Sequence, residues 1–373
     1  MRHPVAMVAA LRGSTVLALI LTIGLGVAAV GVAAAHSGPQ QEAAGGRLYV
    51  ASQSSAAVSV IDMDALEVLE VIDLTELGFT AQAKPHHAAV DPDGEHWYLS
   101  LIADWRVLKF DRDNRLVGQV EFETPGMLYS DPVNDLLYVG RSMAAVNPPQ
   151  RIGVIDRTDM TIEEVDVYMP RPHAIAVTND GGTVFTASLA ENRMAALEAD
   201  DLEEIDLFDI PGDTHTFVQF AISPDGRTLA VGGQISGLAM RFDLTDPMAP
   251  GLKDTLQVGG QPWHPTWSPD GRFLYFPQNT ANAVAVVDAS DWTLAATIAA
   301  PSLAEPHGSA ISADGRYLFV SGRNTRGDYA TQSKWKDGAE MGTVTVIDTR
   351  NREVVKVLEV PPYAAGMGAR LPR

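Results

Sequence analysis

The chain of 373 residues contains no cysteine. This excludes disulfides, thiolate metal sites and attachment of a c-type haem through Cys-x-x-Cys-His. Basic residues are also scarce: 27 Lys and Arg stand against 47 Asp and Glu, a formal charge of −20. Such acidity argues against nucleic-acid binding, which favours basic patches, and fits a solubility role. The sequence shows no nucleophile elbow, phosphate-binding loop or dinucleotide fingerprint.

One long apolar run, Val16 to Ala35, follows Arg2 and Arg12 and ends in Ala33-Ala34-Ala35, an A-x-A cleavage site. Residues 1–35 therefore read as a secretory signal peptide, with an uncleaved membrane anchor as the alternative. Residues 36–46 read as a flexible spacer. Residues 1–35 hold two Arg and no Asp or Glu, so their removal would take the charge from −20 to −22. Cleavage after Ala35 would make His36 the N-terminus, read here as a chance residue in a disordered tail. The expected location is exported, periplasmic or extracellular, with no stable membrane insertion after cleavage. About 330 residues remain, enough to bury a core without disulfides.

What the remaining chain does contain is a repeat. An apolar strand ending in a carboxylate recurs at Ile61-Asp62, Phe110-Asp111, Ile155-Asp156, Leu197-Glu198, Phe242-Asp243, Val287-Asp288 and Ile347-Asp348. The spacings are 49, 45, 42, 45, 45 and 60 residues, close to one four-stranded propeller blade each. Turns such as Ser223-Pro224-Asp225-Gly226 and Ser268-Pro269-Asp270-Gly271 separate runs of β-branched residues. The expectation is an all-β fold, a seven-bladed β-propeller over residues 47–373. Arg47-Leu48-Tyr49-Val50 matches the second strand of a blade, so the segment from Tyr363 should supply the missing inner strand of blade one and close the ring.

Histidine recurs at one place in this repeat. His86, His87, His173, His264 and His307 lie seven or eight residues ahead of a turn glycine, where the innermost strand should begin at the channel mouth. His215 lies eleven residues ahead, one loop further out. Imidazole is the commonest side-chain metal ligand, so the six form a candidate metal site, with copper expected first and zinc second. A histidine that merely bonds a neighbouring blade's backbone is the bland reading for any one of them. Blades one and three carry Pro362-Tyr363 and Pro125-Gly126-Met127 instead, which should leave the ring open on one side. His3 and His96 fall outside the set.

The Ser-Pro-Asp-Gly-Arg turns and Val-Ile-Asp strand ends resemble the YVTN-type β-propeller repeat family over nearly all of residues 47–373. The pair His86-His87, with single histidines on later blades, resembles the catalytic propeller of nitrous oxide reductases. That resemblance implies a multicopper sulfide cluster held by seven histidines on the propeller axis. Here one ligand is missing and the cysteine-bearing electron-entry domain is absent, which leaves a related or simpler copper site. Pro-His followed by Ser-Pro-Asp-Gly-Arg also resembles the haem-binding propellers of cytochrome-type nitrite reductases, which implies a haem carrier or assembly role.

Around the candidate site, Arg171 and Glu305 flank histidines and could support them. An insertion from Gly322 to Gly342 should overhang the histidines with Arg323, Lys334 and Trp335, a cationic flap suited to small anions. The function expected is thus an exported propeller that binds copper through its histidine cluster and acts in redox chemistry on a small molecule or anion. The alternatives are a non-enzymatic exported propeller that presents a face to a protein partner, and a haem-handling propeller.

Overall fold

The computed structural model describes residues 45–372. The leader and all but the last two residues of the spacer, with His3 and His36, lie outside the described residues. The described residues form seven four-stranded antiparallel sheets, each strand paired with its neighbour in sequence except in blade one. There Ala364–Arg370 pairs with Arg47–Ser52 as the inner strand, in the register Leu48↔Ala369 and Val50↔Met367. The ring closes as the sequence predicts, and blade one gains the inner strand that Arg47–Ser52 would otherwise lack.

Local chemistry explains each blade. In the turn after the inner strand of blade five, Ser223 Oγ donates to Asp225 Oδ1 at 2.6 Å and accepts from Thr228 N at 3.0 Å. Gly226 supplies the φ of +72° that a side chain would resist. Ser268 with Asp270 and Ser312 with Asp314 repeat the bond at 2.6 Å. The carboxylates that end the third strands also have a local job. Asp62 accepts the amides of Asp64 and Ala65, and Asp111 those of Asp113 and Arg115. They start the turn into the outer strand, as side-chain acceptors in such turns do. The core lies between blades, where for example Tyr49 of blade one stacks on Trp97 of blade two at 4.4 Å.

Each inner strand begins in the same unusual way. The residue just before it is left-handed and not glycine in all seven blades: Lys84, Thr124, Arg171, Thr216, Gln261, Glu305 and Tyr363, with φ between +47° and +63°. This costs about 1 kcal/mol or more at each position. Pairing then slips within the next residues, between Pro85 and Ala88 in blade two and between Pro306 and Ser309 in blade seven. In blade six the regular inner strand shrinks to Thr266–Trp267, with an isolated bridge from Pro262 to Gln278. A bulge cancels the normal alternation of side chains. Two adjacent residues can then both face the axis, as His86 and His87 do.

Candidate functional site: a buried histidine cluster on the axis

Counting from the left-handed residue sorts the histidines. His86, His173 and His307 stand two residues after it, and His87 and His264 three residues after it. His215 stands one residue before Thr216 and so never enters the bulge.

The five bulge histidines come together from four blades. Ring centroids lie 4.6 Å apart for His264 and His307, 5.5 Å for His86 and His307, 5.8 Å for His87 and His264, and 6.1 Å for His86 and His173. Imidazoles sharing one ion at the usual metal–nitrogen distance would have centroids about 5 Å apart. All five are at most 9% exposed. Trp263 closes one side, with its ring centroid 4.5 Å from that of His307.

Hydrogen bonds assign the protons. His173 Nδ1–H donates to the carbonyl of Arg141 at 2.6 Å, which leaves a lone pair on Nε2. His86 Nδ1 faces Gln53 Oε1 at 3.2 Å with the same consequence. His87 is opposite in sense. Its Nδ1 accepts the amide of Leu128 at 3.3 Å, so the neutral ring carries its proton on Nε2. His86 Nε2, His173 Nε2, His264 Nε2 and His307 Nδ1 are buried with no hydrogen-bond partner among the described residues. Burial holds all five rings neutral. His87 is pushed down to about 3 and His173 to about 4, chiefly by burial. His86, His264 and His307 lie well below the usual histidine range, through burial first and the neighbouring rings second.

His215 behaves differently and corrects its sequence-based assignment to the cluster. Its Nδ1 meets Ser236 Oγ and its Nε2 meets the carbonyl of Pro211, both at 3.0 Å. With both nitrogens used in its own blade, it is a satisfied structural histidine. His96, expected outside the set, sits at the start of a second strand, 3.4 Å from Asp91.

The other expected members support loops rather than rings. Arg171 donates to the carbonyl of Met143, in the loop between Leu136–Arg141 and Arg151–Asp156 of blade three. Glu305 accepts from Thr325 N and Oγ1 and from Arg326 N, which anchors the base of the blade-seven insertion, and it pairs with Arg323 at 3.6 Å. The far part of that insertion leans over the rim. Lys334 pairs with Glu340, Lys336 pairs with Asp73 at 2.6 Å, and Gln332 and Ser333 bond Glu359. Lys334 and Trp335 therefore sit toward the outer strands of blades seven and one, not above the histidines. Arg323 alone stays close. It bonds Tyr363 Oη at 3.0 Å and Asn279 Oδ1 at 2.9 Å, beside Trp263.

Of the blades without histidine, blade one leaves no gap. A side chain at Gly366 would put its Cβ 2.5 Å from His87 Cδ2 and 2.6 Å from the carbonyl of His86, so the His87 ring fills that place. At Gly126 a Cβ would lie 2.7 Å from the carbonyl of Arg141. Among the described residues, no group of three or more His, Asp or Glu side chains is already arranged to hold a metal ion. The rings meet mostly edge to face.

Fold and site together define a seven-bladed β-propeller with a buried histidine cluster at one end of its axis. No protein-family model matches the chain, and no curated protein matches its sequence. Solved propellers do match in shape. A functionally unknown protein from Desulfotomaculum acetoxidans is 15% identical, with a TM-score of 0.67 over 88% of this chain and 99% of that one. Streptogramin B lyase is 15% identical, with a TM-score of 0.58 over 77% and 87% of the two chains. The dihydro-haem d1 dehydrogenase NirN, solved with its ligand DHE, is 14% identical, with a TM-score of 0.59 over 86% and 74%. At such identities the likeness is one of fold.

Proposed function

We propose that this protein binds copper through the axial histidine cluster. The observation that carries the reading is the set of four buried, unpartnered ring nitrogens on His86, His173, His264 and His307. An unsatisfied buried polar group costs about 1–3 kcal/mol, so four together call for a shared partner. His215 supplies the internal comparison. A histidine used only for structure in this fold has both nitrogens bonded. The Nδ1–H bond from His173 to a backbone carbonyl is the arrangement that orients a ligating imidazole.

Copper suits the donors better than zinc for a charge reason. Among the described residues no carboxylate bonds any of the five rings, and the nearby Glu305 is already paired with Arg323. The cost of burying an ion rises with the square of its charge. Neutral imidazoles in a buried site therefore favour a monovalent ion, and imidazole donors suit copper. His86, His173, His264 and His307 would hold it, and His87 would offer its Nε2–H to a small molecule beside it. Bound copper would supply one-electron redox chemistry. The leader-like segment, residues 1–35, supports an exported location. A haem-handling role has less support, because rings 4.6–6.1 Å apart leave no slot for a macrocycle between them.

Equilibration of metal-free protein with copper(I) and with zinc, followed by elemental analysis, tests this reading. Near-stoichiometric copper is expected in the wild type and in His215→Gln, and at least tenfold weaker binding in His264→Gln/His307→Gln. Equal copper content in that double variant would refute the assignment.

A further inference from the structure

The cluster is closed on the histidine face and reached from the opposite one. On its own face Trp263, His86, His173 and His307 are each at most 5% exposed, and Arg323 and Tyr363 are bonded across the top. On the other side a cavity of about 390 Å³ runs along the axis. One wall follows the inner strand of blade two, from exposed Pro92 through Val90, Ala89 and Ala88 to His87. His264 shares the inner end, and Pro132 stands with Pro92 at the outer end. Leu128, Phe220 and Met367 line the length between them.

Among the described residues, no ionisable side chain but Tyr129 lines this bore apart from the two histidines. Its serine hydroxyls and the Gln219 side-chain oxygen are committed to the protein. Ser309 Oγ donates to the carbonyl of His264 at 2.8 Å, Ser130 Oγ accepts from Arg157 at 2.7 Å, and Gln219 Oε1 accepts the amides of Ile175 and Phe220 at 3.1 Å. The charged pair nearest the outer end, Arg157 and Asp91, is closed on itself at 2.5 Å. A charged or strongly hydrated solute would lose its water there, with only the Gln219 amide, the Tyr129 hydroxyl and the His87 Nε2–H to replace it.

We infer that this bore is the route to the histidine cluster, and that it admits small uncharged molecules and turns anions away. The inference rests on reading the cluster as a ligand site. It replaces the expectation of anion recruitment beneath the blade-seven insertion, which leans away.

The test uses metal-free protein, so that its failure is distinct from a failure to bind copper. Xenon under pressure should occupy the bore between Ala88 and Phe220 in crystals of the wild type, and an empty bore would overturn the inference. Histidine alkylation, mapped by mass spectrometry, supplies the second readout. At His264, neutral iodoacetamide should outpace anionic iodoacetate by at least tenfold more than it does at the partly exposed His96. Val90→Trp, or Pro132→Trp at the outer turn, should slow iodoacetamide at His264 about tenfold and leave His96 unchanged. Unchanged rates in both variants, or equal selectivity at the two histidines, would overturn it.

Discussion

Metal-free protein should lose stability steeply between about pH 6.5 and pH 4, before its carboxylates titrate. The five cluster imidazoles are held neutral by burial, with His87 at about 3 and His173 at about 4. In the unfolded chain each would titrate near 6.5. Below that value the unfolded state binds more protons than the folded one, so stability falls as pH falls. At pH 5 each ring that stays neutral favours unfolding by about 2 kcal/mol, and five independent rings by about 10 kcal/mol. That rivals the whole stability of a typical domain, about 5–15 kcal/mol. The turn aspartates act later. Asp225, Asp270 and Asp314 are held below the usual carboxylate range by their serine partners, so their contribution is lost only under more acid conditions. Urea unfolding at about pH 7.5, 6 and 5 measures the slope. The expected limit is five protons taken up on unfolding, about 7 kcal/mol per pH unit. His264→Gln should remove about one proton from it. A flat profile down to pH 5, or cluster histidines that titrate near 6.5 by NMR, would refute the account.

Three further outcomes follow from named contacts. Gly366→Val should destabilise the ring by about 2–4 kcal/mol, because its side chain must displace the His87 ring and the His86 backbone; a melting temperature within a degree or so of wild type would contradict the packing. Deletion of residues 361–373 removes the inner strand of blade one and should abolish cooperative melting, since that strand pairs with Arg47–Ser52 and blade one has no substitute. Removal of residues 330–340 gives up exposed ion pairs such as Lys336 with Asp73, each contributing at most about 1 kcal/mol; stability and the copper content of loaded protein should both stay near wild type, and loss of either would place the insertion in the site after all.

The fold was legible because each blade is written in short-range chemistry. A Ser-Pro-Asp-Gly turn and a terminal aspartate work within a few residues, so their recurrence shows in one dimension. Five of the six candidate histidines were legible for the same reason, since the turn glycine counts back to the start of the inner strand. His215 was misplaced because that count cannot see the bulge. The bulge is marked by φ values above +40° on residues such as Thr216 and Arg171, which have no local preference for that conformation. The lean of the insertion was equally hidden, because it depends on Lys336 meeting Asp73 across 263 residues. So was the placing of the His87 ring, which depends on Gly366 in one blade leaving room for it in the next. Repetition therefore reveals which residue types gather on the axis. The departures from repetition, where glycine or tryptophan replaces histidine at equivalent positions, decide which end is closed and what can reach the centre.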